Sequence, residues 1–192
     1  METFSINNIL VLDDMLTPEQ CTSLIDEASQ NFNSSRLETD VGYNYYDWAP
    51  QVWQTHPILN SLLRTAIGQY AKSFPELGYV GNLCVLSDCR LKHFPPGYSY
   101  DNWHQEHVYA FPYRIACILV YLTDHNCGTE FVATGETVMS KLGRVLVFPT
   151  FWTHTHRGQV CPDGKDRYIL GSYLQMIEQP SAYTKSLKKL PK

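Results

Sequence analysis

No hydrophobic run in this chain is long enough to cross a bilayer. The longest, IACILVYL (115–122), falls far short of the roughly 20 apolar residues a spanning helix needs. Basic charge is also scarce, with 15 Lys and Arg against 19 Asp and Glu and a net charge of −4. Four of those basic residues sit in the C-terminal stretch KSLKKLPK (185–192), so the remaining body is acidic and has little to offer a phosphate backbone. Neither nucleic acid nor a membrane is therefore expected as a partner; the tail reads as a solvated end, with a weak electrostatic tether as the alternative. No CxxC pair occurs among the cysteines at 21, 84, 89, 117, 127 and 161, which leaves out zinc ribbons and thioredoxin-type redox motifs. Cys21 and Cys117 lie in apolar settings and read as small core residues. A reducing, cytoplasmic setting is the expectation. The N-terminal METFSINNILVLDDML has no basic region and carries Asp13 and Asp14 early, unlike a signal peptide. Repeats, low-complexity segments and linkers are absent as well.

What is present is a chain of 192 residues, 44% hydrophobic and 13% aromatic, suited to one domain with a real core. ILVL (9–12) reads as a short strand. A helix follows, with Thr17 as N-cap, Pro18 at its first position and Gln20 completing a capping box. Leu16 can staple onto Cys21, and Cys21, Leu24, Ile25 and Ala28 share a face. A second amphipathic helix begins near Pro57, where Ile58, Leu59, Leu62, Leu63, Ala66, Ile67 and Tyr70 keep helical spacing. Between them lies DVGYNYYDWAPQVW (40–53), a hairpin or long loop by its pattern. Its Tyr43, Tyr45, Tyr46, Trp48 and Trp53 either wall a site or staple the helices to a sheet.

From about residue 79 the pattern becomes a succession of short β-type runs: YVGNLCVL, CRLKHF, WHQEHVY, RIACILVYL, TEFVA, ETVMS, RVLVFP, FWTHTH and RYILGSYLQM. Turn-forming stretches such as PPGYSYDN, DHNCG and CPDGKD separate many of them, which predicts a β-sandwich or barrel. RIACILVYL is apolar almost throughout, so it belongs at the centre of a sheet covered on both faces. The helices are expected on the outside of this β-domain. The division is helical support at about 13–75, a β core at about 79–178 and the basic tail at 185–192.

The histidines gather in two clusters, NWHQEHVY (102–109) and FWTHTHRG (151–158). On a strand, side chains alternate, so His104 and Glu106 point to one face and His107 to the other. An imidazole and a carboxylate so placed can grip one ion, with His154 or His156 supplying a third ligand. Two imidazoles and one carboxylate on one side leave coordination positions open, which points to a non-haem Fe(II) oxygenase; zinc hydrolases use the same ligand types. HRGQVCPDGKDRYILGSYL (156–174) reads as strand, turn and strand. As a hairpin it would return Arg167 close to His156, where a guanidinium can take a carboxylate bidentately.

These pieces together resemble the Fe(II)- and 2-oxoglutarate-dependent dioxygenases, of the prolyl 4-hydroxylase type with small microbial and phage relatives. ILVLDDMLTPEQCTSLI resembles their entry strand and helix, HFPPGYSYDNWHQEH the segment bearing the first two metal ligands, and ILVYLTDHNCGTEF the strand and turn that follow. GRVLVFPTFWTHTHRGQV resembles the distal-histidine segment, and RYILGSYL the co-substrate strand. The resemblance implies a mainly β fold: a double-stranded β-helix, or jelly roll, flanked by N-terminal α-helices. It implies His104, Glu106 and His156 as ligands of Fe(II), with His156 chosen over His154 because a glycine closely follows it. It implies Arg167 as the partner of the far carboxylate of 2-oxoglutarate, with Lys165 in reserve, and Tyr100 as a further co-substrate contact. Ascorbate is an additional candidate cofactor. Two departures stand out: Glu106 replaces the usual Asp, and Tyr173 stands where Trp is common.

The activity so implied is hydroxylation of a peptidyl substrate, prolyl in the first instance, with release of succinate and carbon dioxide. Arg114 and Tyr109 flank the first ligand segment and are candidates to face the substrate. The alternatives are the same chemistry on a free amino acid or small metabolite, a cupin-like metal-dependent isomerase or hydrolase, and a non-catalytic binding module.

Overall fold

The computed structural model describes residues 3–32, 42–80 and 84–177. The basic tail, the beginning of the aromatic segment and part of YVGNLCVL lie outside them. In chain order come β1 (Thr3–Ile6), β2 (Ile9–Leu12), α1 (Pro18–Ser29), β3 (Asn44–Asp47), α2 (Pro50–Trp53), α3 (Pro57–Ser73) and β4 (Cys84–Phe94). There follow β5 (Arg114–Tyr121), β6 (Gly128–Phe131), β7 (Thr137–Met139), β8 (Val145–Pro149), β9 (His156–Gly158) and β10 (Arg167–Met176). Seven strands form one sheet in the order β1-β2-β8-β5-β10-β4-β3, and three form a second in the order β7-β6-β9. The pairings in both sheets are antiparallel, and the two sheets face each other as a jelly roll.

Alternation along the central strands builds two cores back to back. Leu10, Leu12, Val145, Val147, Ala116, Ile118, Val120 and Leu170 pack with α1 and α3. Their neighbours Ile9, Val11, Leu146, Phe148, Cys117, Tyr121 and Ile169 turn to the other face and meet Phe131 and Val138 of the small sheet. This double burial is why RIACILVYL carries no polar face. Arg167, Ile169 and Tyr173 share the inner face of β10, so a strand read as apolar also delivers a cation and a phenol to the space between the sheets.

The helices form where capping chemistry and spacing ask for them. The Thr17 side chain accepts from the Gln20 amide, and the Gln20 side chain accepts from the Thr17 amide, an arrangement worth about 1 kcal/mol. At α3, the His56 ring caps the amides of Ile58 and Leu59. Glu27 of α1 ties the two helical segments together, accepting from Trp48 Nε1 at 2.6 Å and contacting His56 Nε2 at 3.1 Å.

The aromatic segment divides its residues. Trp48 and Trp53 are 2% exposed and belong to the core beneath the helices. Tyr46 packs on that same core, edge-on to Trp48 at 4.9 Å. Tyr43 alone among the buried aromatics of this segment joins the inner core. The segment is thus an edge strand, β3 on β4, followed by the short α2, and most of its aromatics hold the helices to the sheet.

Two expected strands and one expected hairpin take other forms. WHQEHVY contributes one isolated bridge, His104 with His156. FWTHTH contains a 3-10 turn, Trp152–His154, before β9. The expected hairpin of β9 and β10 does not form, because β9 pairs with β6 in the small sheet while β10 pairs with β4 and β5 in the large one.

Candidate metal centre

His104, Glu106 and His156 each offer a ligand atom, and these atoms lie within 4.8 Å of one another. His156 opens β9, while His104 and Glu106 lie outside any strand and are held by backbone pairing. The amide of His104 donates to the carbonyl of His156 at 3.0 Å, and the His156 amide returns a bond at 2.9 Å. The amides of Glu106 and His107 both donate to the Thr150 carbonyl. The chain therefore turns sharply after His104, and Glu106 points back toward the imidazoles.

Each imidazole is oriented by its other nitrogen. His104 Nδ1 lies 2.8 Å from the Asn102 carbonyl, and His156 Nδ1 lies 3.0 Å from the His154 carbonyl. A carbonyl can only accept, so each Nδ1 carries the proton and each Nε2 keeps its lone pair for a metal. Burial pulls His156 down to about 4, so near neutral pH it is the unprotonated imidazole a metal requires. Its ring is enclosed by Phe131, Phe148 and His104, with centroids 4.3–5.7 Å away.

Glu106 divides its two oxygens. Oε1 is 3.7 Å from His104 Nε2. Oε2 accepts from Arg114 Nη1 at 3.2 Å and from the Tyr173 hydroxyl at 3.0 Å. Arg114 reaches on to Asp88 at 2.9 Å and lies over the rings of Tyr173 and Phe111, at 3.5 and 3.8 Å. Burial raises the Tyr173 phenol well above its ordinary range, so it stays a donor. Burial pushes the Glu106 carboxyl up, but the adjoining imidazoles and the Lys92 ammonium outweigh it and hold it at about 2. The longer Glu arm in place of Asp spans from this clamp to the imidazoles.

The other histidines of the two clusters face elsewhere. His154 Nε2 donates to the Asn7 carbonyl at 2.8 Å, and burial lowers its basicity. His107 Nδ1 donates to the Arg114 carbonyl at 3.0 Å while its ring packs on Phe151.

His104 and Glu106 of this group line a cavity of about 600 Å³ whose walls also include Tyr43, Trp48, Lys92, Tyr100, Arg114 and Tyr173. The Tyr100 ring lies on His104 at 4.2 Å. Tyr109, by contrast, is fully exposed and is not part of the cavity wall.

Arg167 is 2% exposed at the inner end of β10, opposite Phe94. Its Nη1 donates to the Gln159 carbonyl at 3.0 Å and contacts Cys127 Sγ and Cys161 Sγ, and its Nη2 donates to Ser99 Oγ at 2.7 Å. Its Nε is buried with no partner, so the Nε and Nη2 edge keeps the free donors a carboxylate would take. Gly158 makes the approach possible, since a Cβ there would meet Arg167 Nη2 at 3.1 Å and Ser99 Oγ at 2.8 Å. The acidic residues of the preceding turn are engaged elsewhere, Asp163 with His125 and Asp166 with His93. Lys165 stands exposed on that turn.

A donor set of two neutral imidazoles and one carboxylate fits Fe(II), and a buried guanidinium with an orphaned N–H fits the far end of a dicarboxylate. Reasoning from the sequence missed Lys92, Ser99 and the Arg114–Tyr173 clamp. It also missed the pairing of Cys127 with Cys161, whose Cα atoms are 5.1 Å apart. Those cysteines are 34 residues apart with no local motif, and reduced thiols were the expectation. The inward alternation of β4 and β10 was the one available signal for Lys92 and Tyr173.

No protein-family model and no curated protein sequence matches the chain. Its fold is nevertheless found among solved structures. The viral collagen prolyl hydroxylase of Paramecium bursaria Chlorella virus-1, solved as a 2OG complex, superposes with a TM-score of 0.70 at 16% identity, covering 90% of this chain and 97% of that one. A Pseudomonas putida prolyl-4-hydroxylase gives 0.66 at 20% identity, covering 89% and 94%. A Trichoplax adhaerens prolyl hydroxylase, in complex with a hypoxia inducible factor oxygen degradation domain peptide fragment, gives 0.62 at 14% identity, covering 96% and 88%. The architecture is a prolyl 4-hydroxylase-like jelly roll. No helix among the described residues is long and apolar enough to cross a membrane.

Proposed function

We propose that the chain is an Fe(II)- and 2-oxoglutarate-dependent dioxygenase that hydroxylates a peptidyl substrate, with a prolyl residue as first candidate. The observation that carries this reading is the convergence of His104, Glu106 and His156 at the wall of a cavity, inside a jelly roll that also buries a guanidinium with an unpaired Nε. The structural neighbours support it, since they are prolyl hydroxylases, one solved with 2OG and one with a peptide fragment.

When bound, Fe(II) and 2-oxoglutarate would supply the oxidation: one dioxygen and one co-substrate convert a substrate C–H to C–OH, with succinate and carbon dioxide as the other products. The chain's own residues then have definite tasks. His104 and His156 would hold the metal through the Nε2 lone pairs, and Glu106 would complete the set. Arg114 and Tyr173 occupy Oε2, so Oε1 would be the oxygen offered to the metal. Arg167, whose buried Nε has no partner, would take the far carboxylate of 2-oxoglutarate. Tyr100 steadies the His104 ring from the cavity side. Phe131 and Phe148 exclude water behind His156, where a dry pocket protects the reaction from side paths.

The test is consumption of 2-oxoglutarate with and without added Fe(II), alone and with a panel of proline-containing peptides. The expected result is Fe(II)-dependent turnover that rises with a peptide and a mass gain of one oxygen on it. Turnover stimulated by a free amino acid or small metabolite, and by no peptide, would overturn the peptidyl half and leave the dioxygenase half standing.

A further inference from the structure

The wall of the cavity holds one cation that the tasks above leave unused. Lys92 lies on β4 opposite Ile169, between the Phe94–Arg167 pair and the Arg90–Gly171 pair. The other two cations lining the cavity are neutralised. Arg90 binds Asp47 bidentately at 2.5 and 2.7 Å, and Arg114 binds Asp88 and Glu106. The Lys92 ammonium instead rests over the rings of Tyr43 and Tyr100, 5.6 and 5.7 Å from their centroids. Among the described residues no carboxylate lies within ion-pair distance of it. An ammonium is a compact, strongly hydrated charge. Two aromatic faces replace only part of that hydration, so the arrangement favours a ligand that brings its own negative charge.

We propose, building on the dioxygenase reading, that Lys92 is a specificity residue that binds a carboxylate of the primary substrate, either an acidic side chain or a free terminal carboxylate beside the oxidised carbon. The co-substrate also carries carboxylates, but the positions of the two cations separate the roles. Arg167 is fully buried and has the orphaned Nε. Lys92 is half-buried and faces the open cavity together with Trp48, Pro50 and Val108, a wall that does not include Arg167. Lys92 shares the cavity wall with His104 and Glu106, so a carboxylate on it would sit beside the reacting centre.

The experiment uses protein loaded with Mn(II), a redox-silent ion, and follows intrinsic fluorescence, because Trp48 lines the cavity. The probes are two matched pairs: glycyl-prolyl-glutamate amide against its glutamine counterpart, and glycyl-proline against its amide. Each is titrated with and without 2-oxoglutarate. At least one acidic member should bind the wild type roughly tenfold more tightly than its neutral partner, the worth of one hydrogen bond to a charged group. In Lys92→Met and Lys92→Gln that preference should vanish, in Lys92→Arg it should persist, and the affinity for 2-oxoglutarate should stay unchanged in all three. A wild type with no acid preference, or a preference that survives in Lys92→Met, overturns the proposal. So does a loss of 2-oxoglutarate binding in Lys92→Met, which would assign the ammonium to the co-substrate. A wild type that binds no 2-oxoglutarate at all contradicts the dioxygenase reading instead, and the peptide ratios without co-substrate still decide the role of Lys92.

Discussion

The guanidinium carbon of Arg114 lies over the ring of Tyr173, 3.5 Å from its centroid, and the two side chains donate to the same oxygen of Glu106. This pair accounts for both departures of the chain from the pattern it resembles. The longer Glu arm and the hydroxyl of Tyr173 belong to one arrangement, in which the carboxylate is anchored at Oε2 and offered at Oε1.

Removing one donor should loosen the ligand without removing it. Tyr173→Phe keeps the ring under Arg114 and deletes only the hydroxyl. Partners of metal ligands typically affect metal affinity by about 10–100-fold, and a loss toward the lower end is expected, measured by Mn(II) titration. Glu106→Asp should do worse, because the shorter arm cannot reach both the clamp and the metal. Unchanged affinity in Glu106→Asp would show that the clamp has no part in holding the ligand.

Substitution of the histidines should separate the clusters. His104→Ala and His156→Ala are expected to abolish specific Fe(II) binding. His107→Ala and His154→Ala should keep it, the latter with a stability loss of about 1–3 kcal/mol from the unpaired Asn7 carbonyl. Loss of iron in His154→Ala with retention in His156→Ala would reverse the choice of distal ligand.

Arg167→Ala deletes the buried guanidinium. The affinity for 2-oxoglutarate should fall by roughly 2–4 kcal/mol, as when one partner of a buried charge pair is truncated, while Fe(II) binding persists. Calorimetric titration of both ligands checks this, and an unaltered 2-oxoglutarate affinity would move the anchor to another cation.

Asp13 predicts the acid limb of stability. It is 4% exposed and binds Arg144 at 2.6 Å and Lys141 at 3.0 Å. The hydrogen bond from Arg144, against an opposing effect of burial, holds its carboxyl below the ordinary value. A depressed folded-state value means that the contribution is complete above the unfolded value, near 3.9, and is lost as pH falls through the folded one. Asp13→Asn should therefore cost about 2–3 kcal/mol near neutral pH, somewhat under the range for a fully buried pair. The cost should shrink in acid, as read from denaturant melts across pH. A cost independent of pH would contradict the role of the charge.

What was legible in the sequence was local. The run RYILGSYLQM coincides with β10, and the Thr17–Gln20 capping box opens α1 as its chemistry requires. Both are set by neighbours in the chain. The segment around His104 was misread as a strand because its geometry comes from amides bonded to Thr150 and His156, far away in sequence. His104 and Glu106 still share a side, but through a turn and not through alternation. Arg167 reaches the inner space from a different sheet than β9, so the hairpin argument named the residue by the wrong route. Arg114 was a candidate to face the substrate; it lines the cavity, and its guanidinium also binds Glu106 and Asp88. Such pairings arise where strands distant in sequence meet, and no local pattern announces them.

The central claim is that this site couples 2-oxoglutarate to dioxygen. The most direct measurement is turnover with Fe(II) under isotopically labelled dioxygen, followed by mass analysis of the succinate formed. The account predicts succinate carrying one labelled oxygen, with production lost in His104→Ala and His156→Ala. Fe(II)-loaded protein that leaves 2-oxoglutarate intact, or yields unlabelled succinate, would contradict it.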